Sequence, residues 1–140
     1  MNLLELRAVA PGLRTFHDGT DPATGATVHT TVYTGHVALA RSTAFRGMVR
    51  LGDLQEISFF VPDSLPYPQP PRALGVELSV RLFRSTANIA AVHLGACDER
   101  VEVAPDPRGG EHRWLCVTFR TPVYSHDLVE LNYRVTVQIH

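Results

Sequence analysis

The amino-acid sequence predicts an all-β domain, and three observations carry that expectation. The final dozen residues alternate without a break, with Val129, Leu131, Tyr133, Val135, Val137 and Ile139 on one parity and Glu130, Asn132, Arg134, Thr136, Gln138 and His140 on the other. Successive side chains of a strand point to opposite faces, so this run is a strand with one face in a core. The same alternation recurs along most of the chain. No segment keeps a 3.6-residue period over ten or more positions, and only Thr86 to Leu94, with its alanines, would tolerate a helical turn.

About nine strands are expected. The first runs from Leu3 to Val9 and is closed by Pro11-Gly12. The polar stretch from His17 through Gly25 reads as a loop or a hairpin tip. Val28 to Ala40 follows, rich in Thr and Val. Its parity changes midway: Val28, Thr30, Val32 and Thr34 share one count, Val37 and Leu39 the other. Gly35 sits at the change, where a β-bulge would restore a common inward face. Phe45 to Leu51 and Leu54 to Val61 flank Gly52-Asp53, a two-residue loop suited to a II′ hairpin. Leu74 to Arg84 reads with Leu74, Val76, Leu78, Val80 and Leu82 inward and Glu77, Ser79 and Arg81 outward. Ile89 to Leu94, Arg100 to Ala104, His112 to Arg120 and Leu128 to His140 complete the set. Pro105-Asp106-Pro107-Arg108-Gly109-Gly110 is a loop, and Thr121-Pro122 ends the strand before it.

Short strands with turn signals every 8–12 residues and one apolar face each point to two packed antiparallel sheets. The expectation is a single domain over 1–140, a two-sheet β-sandwich of jelly-roll or immunoglobulin-like type. A closed β-barrel is the alternative, because alternation does not distinguish a sheet packed on another from one packed on itself. At 140 residues and 15.5 kDa, with 44% hydrophobic and 19% charged residues, the chain can bury a core of ordinary size.

A net charge of −1 gives no whole-molecule field to attract nucleic acid or anionic lipid. All thirteen basic residues are arginine. A GC-rich coding sequence would give that bias, and retention for bidentate or stacking contacts is the functional alternative. Met1 to Arg7 shows no secretory signal, and no apolar run approaches the roughly 20 residues that span a bilayer. Cys97 and Cys116 make no disulfide framework, so both are expected as reduced thiols of a cytoplasmic protein. Cys116 reads as a small buried hydrophobe and Cys97 as a strand-end residue.

Signals for chemistry are sparse. The seven histidines include no His-x-His, no His-Glu-x-x-His, and the cysteines no Cys-x-x-Cys. His29 and His36 would share a face only through a bulge at Gly35, and would then stand about 20 Å apart at the rise of a strand. Ser125-His126-Asp127 are sequence neighbours, which cannot present the geometry of a triad assembled from separate segments. Glu56, Glu77, Glu102 and Glu130 are at outward strand positions, where acidic residues are ordinary. The expectation is therefore no cofactor, no metal and no catalytic residue.

Outward parity holds a different pattern. Phe60, Phe83 and Trp114 fall opposite the inward set of their strands, together with Met48 and with Arg46, Arg50, Arg81 and Arg134. Trp, Phe and Arg are enriched at interface hot spots, so Phe60, Phe83, Trp114, Arg81 and Arg134 form the candidate binding surface. Parity errors, a covering loop, or a ligand platform are the competing readings of the same residues. Five of the ten prolines lie between Pro62 and Pro71. Pro68-Gln69-Pro70-Pro71 matches P-x-x-P, which makes Tyr67, Pro68, Pro71 and Arg72 a candidate interaction loop within 62–72. The same prolines suit a rigid crossover between sheets.

The resulting expectation is a binding and assembly module without chemistry of its own, acting on a protein partner or on further copies of itself. The alternative is a small-ligand- or carbohydrate-binding β-barrel or sandwich, with metal-dependent catalysis as its furthest extension. The inward set itself is directly testable, since burying an aliphatic side chain stabilises by roughly 1.5–3 kcal/mol. Val135→Asp should abolish soluble expression while Thr136→Asp is tolerated, and equal behaviour of the two variants would sink the strand assignment.

Overall fold

In the computed structural model the described residues are 4–41, 54–62, 71–84, 97–105, 113–122 and 128–139. They form seven strands: β1 (Leu4–Thr20), β2 (Thr27–Arg41), β3 (Leu54–Phe60), β4 (Ala73–Arg84), β5 (Cys97–Pro105), β6 (Arg113–Pro122) and β7 (Leu128–Ile139). The expected strands Phe45 to Leu51 and Ile89 to Leu94, the Gly52-Asp53 turn and the helical alternative at Thr86 to Leu94 lie outside the described residues.

The strands make two antiparallel sheets, ordered β1-β2-β7-β4 and β3-β6-β5. Among the described residues there is no helix and no closed barrel. The pairings nest: β2 takes β7, β3 takes β6, and β4 contacts β5. Consecutive strands from β2 to β5 therefore alternate between the sheets.

Both sheets contribute to one apolar cluster. Val37 and Leu39 of β2, Phe59 of β3, Leu115, Val117 and Phe119 of β6, and the odd-numbered positions Val129 to Val137 of β7 are buried in it. Phe59 joins the layers, with its ring 6.2 Å from Phe119 in its own sheet and 5.3 Å from Tyr133 in the other. Aromatic pairs at such separations add stabilisation beyond the area they bury. A side-chain amide closes the seam where β1 nears β3: Gln55 Nε2 donates to the Leu4 carbonyl at 2.7 Å and its Oε1 accepts from the Leu4 N–H at 3.0 Å.

Three expectations are corrected by the register. First, β1 does not stop at Pro11-Gly12 but continues to Thr20. An edge strand tolerates proline because its outward N–H has no ladder partner, and β1 is outermost in its sheet among the described residues. A register shift between Pro11 and Arg14 sets Gly12 and Leu13 against Thr34. The Thr34 hydroxyl accepts from the Leu13 N–H at 3.1 Å and donates to its carbonyl at 3.3 Å, so the bulge keeps its bonds through a side chain. The hairpin tip is Asp21 to Ala26, with Gly25 in the left-handed region at φ 71°.

Second, β2 carries no bulge at Gly35. Its register with β7 runs unbroken from His29↔Ile139 to Ala40↔Leu128. The inward set is Thr31, Tyr33, Gly35, Val37 and Leu39, and the Thr and Val residues that share the other count face outward. Glycine stands where it does because Tyr133, its register partner, lies directly over it. A Cβ there would come within 2.5 Å of Tyr133 Cζ and would also strike the Ala10 carbonyl. His29 and His36 consequently occupy opposite faces.

Third, β4 shifts register between Val80 and Leu82. The shift sets Leu82 opposite Glu130 and Phe83 opposite Val129, a buried core position. Leu82, expected inward, is 41% exposed.

The Gly35 contact reverses the usual sign of a glycine substitution. Gly→Ala within a strand ordinarily stabilises by reducing unfolded-chain entropy. Here Gly35→Ala should destabilise by about 1–3 kcal/mol through overpacking, while Gly75→Ala, with open space around its Cβ, should be neutral or mildly stabilising. Urea unfolding midpoints of the two variants make the comparison, and equal midpoints would remove the wedge described here.

Candidate functional site

The register divides Phe60, Trp114, Arg81 and Arg134 between the two sheets rather than gathering them. Phe60 stands opposite Cys116, and Trp114 opposite Ala104, so both lie on the face of the three-stranded sheet turned away from the core. Both are half-buried. Between and beyond them on β6, Cys116 and Thr118 share that face and are nonetheless buried. Thr118 shares a hydrogen bond of 2.9 Å with Ser58 across the strands. Further along, Arg100 pairs with Glu56 at 3.4 Å and Arg120 with Asp98 at 3.6 Å, both exposed. Exposed pairs of this kind contribute little to stability. The face thus grades from aromatic at one end to charged at the other.

The Cys116 thiol is pushed up from its ordinary pKa, chiefly by burial and secondarily by the charge of Glu102 opposite it. It stays protonated at neutral pH and lacks the character of a nucleophile.

Arg81 and Arg134 lie on the other sheet, on the outward face of β1-β2-β7-β4. A depression of about 520 Å³ opens there, lined by Thr34 and His36 of β2, Asn132 and Arg134 of β7, and Glu77 and Arg81 of β4, with Leu13 of β1 at its rim. Arg81 leaves the β4 register shift and reaches over β7, so that its Nη1 lies 2.9 Å from His36 Nδ1 and its Nε 3.6 Å from Glu130. An arginine only donates, so Nδ1 of His36 is the acceptor and the neutral ring carries its proton on Nε2. Glu77 is the register partner of Arg134, yet neither makes an ion pair with a described residue.

The interaction-loop candidates Tyr67 and Pro68 lie outside the described residues, as do His93, His112, His126 and His140, the Ser125-His126-Asp127 stretch, and Met48, Arg46 and Arg50. Pro71 and Arg72 are described, and Arg72 has a structural task. Its N–H donates to the Gln138 carbonyl at 2.8 Å, and its guanidinium pairs with Asp21 at the β1–β2 hairpin tip. Asp21 Oδ1 also accepts from the Ala23 N–H at 2.9 Å. Nearby, His29 Nδ1 donates to Asp18 at 2.6 Å. Among the described residues no group of three His, Cys, Asp or Glu side chains is placed to hold a metal ion.

Sequence reasoning weighs His36 as a metal ligand, rejects it in favour of a solvated or hydrogen-bonded histidine, names no partner for it, and passes over Leu13, Phe16 and Asn132. Asn132 had a usable signal, since it shares the outward parity of Arg134. The nearness of His36 had none, because it follows from a strand pairing of nearly a hundred residues' separation. Comparison of the chain with family models, with curated proteins and with solved structures finds no match. No helix of the described residues is long and apolar enough to cross a membrane.

The Asp21 contacts give a pH dependence. The Ala23 N–H first, and the Arg72 guanidinium second, hold the Asp21 carboxyl below its ordinary value of 3.8. A lowered carboxyl pKa adds stability that is complete above the unfolded value and lost as pH falls through the folded one. Asp21→Asn keeps an acceptor for Ala23 but removes the charge. It should therefore be less stable than the parent at pH 7, with the gap closing below about pH 4. Thermal melts across that range provide the check, and a gap independent of pH would rule out the ionic tether.

Proposed function

We propose that this protein is a non-enzymatic assembly module, a β-sandwich of jelly-roll winding that pairs with a second copy of itself through the outer edge of β1. The nested pairing of β2 with β7 and β3 with β6 supports the winding, since a long hairpin rolled on itself gives that alternation between two sheets. One observation carries the function. Among the described residues β1 is an edge strand, and from the bulge onward it is exposed, bearing Leu13 at 72% and Phe16 at 60%, the two most exposed large apolar side chains described. Half-buried Phe60 and Trp114 offer less.

An unpaired strand edge is a template for another strand, and this one fits its own copy. An antiparallel register with Phe16 on the two-fold sets Arg14 against Asp18 of the second molecule, twice by symmetry. Arg14 already sits over the Phe16 ring at 5.4 Å, so the apolar and charged parts of the contact are preassembled. The register sets Leu13 against Gly19 and Gly12 against Thr20 of the second molecule, and leaves Pro11 outside the new ladder. A cytoplasmic setting is supported by the composition alone, two cysteines without a disulfide framework.

Sedimentation velocity tests the proposal. The parent should sediment as a dimer at tens of micromolar and Phe16→Glu as a monomer with an unchanged thermal midpoint, because that side chain is outside the core. A monomeric parent, or a Phe16→Glu variant that remains dimeric, would overturn it.

A further inference from the structure

We propose that the depression on the outward face of the four-stranded sheet is a binding site for a carboxylate, gripped by Arg134 and Arg81. The site does not depend on self-association: its polar side chains come from β2, β4 and β7, and β1 contributes only Gly12 and Leu13 at the rim.

Donors dominate the site. Arg134 brings five N–H groups and makes no ion pair with a described residue. Arg81 commits one N–H to His36 and holds Glu130 at the longer distance of 3.6 Å, which fixes its guanidinium while leaving donors over. The same contact fixes the proton of His36 on Nε2, adding a donor. The Asn132 amide adds more. Against these stands one acceptor without an ion-pair partner among the described residues, Glu77. An acceptor-rich group would satisfy the excess.

Charge selects among acceptor-rich groups. Arg81 and Arg134 are balanced in formal charge by Glu77 and Glu130, so the site carries no surplus to draw a dianion such as a phosphate. A single planar carboxylate matches the guanidinium fork bidentately and brings only one charge near the two glutamates. The depression, about 520 Å³, is within the range that holds a small ligand. Leu13 on its rim gives the C–H surface of such a ligand an apolar contact. A uronic acid residue of a saccharide and an acidic side chain of a peptide both present this chemistry.

The test is a titration followed by ¹H–¹⁵N correlation spectra, with glucuronate, glucose, digalacturonate and the tripeptide Gly-Glu-Gly as probes. Glucuronate should give saturable shifts at Ser79, Asn132 and Arg134, and glucose none. Tighter binding of digalacturonate than of the tripeptide identifies a saccharide source, and the reverse order a peptide source; either upholds the carboxylate. Arg134→Gln should weaken binding by about tenfold or more while leaving the remaining spectrum in place. Equal shifts from glucose, no saturable shift from any carboxylate, or full retention of binding in Arg134→Gln would each overturn the assignment. Repeating the titration in Phe16→Glu separates the two proposals, since the site should survive loss of the dimer.

Discussion

The close approach of Tyr133 to Gly35 is the constraint on which the rest of this structure depends. β2 and β7 are the central strands of the larger sheet, and every register in that sheet is referred to their pairing. Because the side chain of Tyr133 occupies the space over Gly35, only glycine fits at that rung, and a slip of one residue would set a bulky side chain there. The same ring meets Phe59 from the opposite sheet. One aromatic side chain thus fixes the register within a sheet and contributes to the packing between the two.

Irregularities in the edge strands decide which surfaces exist. β1 has register shifts after Leu6 and after Pro11, and β4 has one after Val80. The later β1 shift separates a first half tied to the core at Leu4 from a second half exposed along its length. The β4 shift moves Arg81 onto a course across β7 toward His36. The exposed edge and the arginine-lined depression each adjoin one of these irregularities. Both depend on the regular centre that Tyr133 holds in place.

Much of this architecture was legible in the sequence, and the failures have definite causes. The alternation of Val129 to Ile139 identified β7 and its buried face correctly, because a central strand with one face in the core obeys a strict period of two. Gly35 was read as a bulge because the sequence pattern of β2 changes parity there. The true cause, a tyrosine almost a hundred residues away, leaves no local trace. Leu82 reads as inward but is exposed, because a one-residue shift after Val80 reverses the parity of the pairing beyond it. Pro11 reads locally as a terminator, although an edge strand accommodates proline, and edge status is a property of the sheet rather than of the segment. The surface of Phe60, Trp114, Arg81 and Arg134 was assembled from parity alone. Parity says that a residue points away from its own sheet's core, but not which sheet it belongs to, so residues from two separate faces were grouped as one.

The Gln55 amide at the β1–β3 seam bears on a distinction of topology. By donating to the carbonyl and accepting from the N–H of Leu4, it reproduces the two bonds that a neighbouring strand would make at that rung. The two sheets are therefore already joined there by a single rung of ladder, built from a side chain instead of backbone. An open pair of sheets and a continuous cylinder differ along this seam only in whether further rungs follow. A chain of this pattern stands one short strand extension from closing that side, and architectures usually classed apart become neighbours in sequence space.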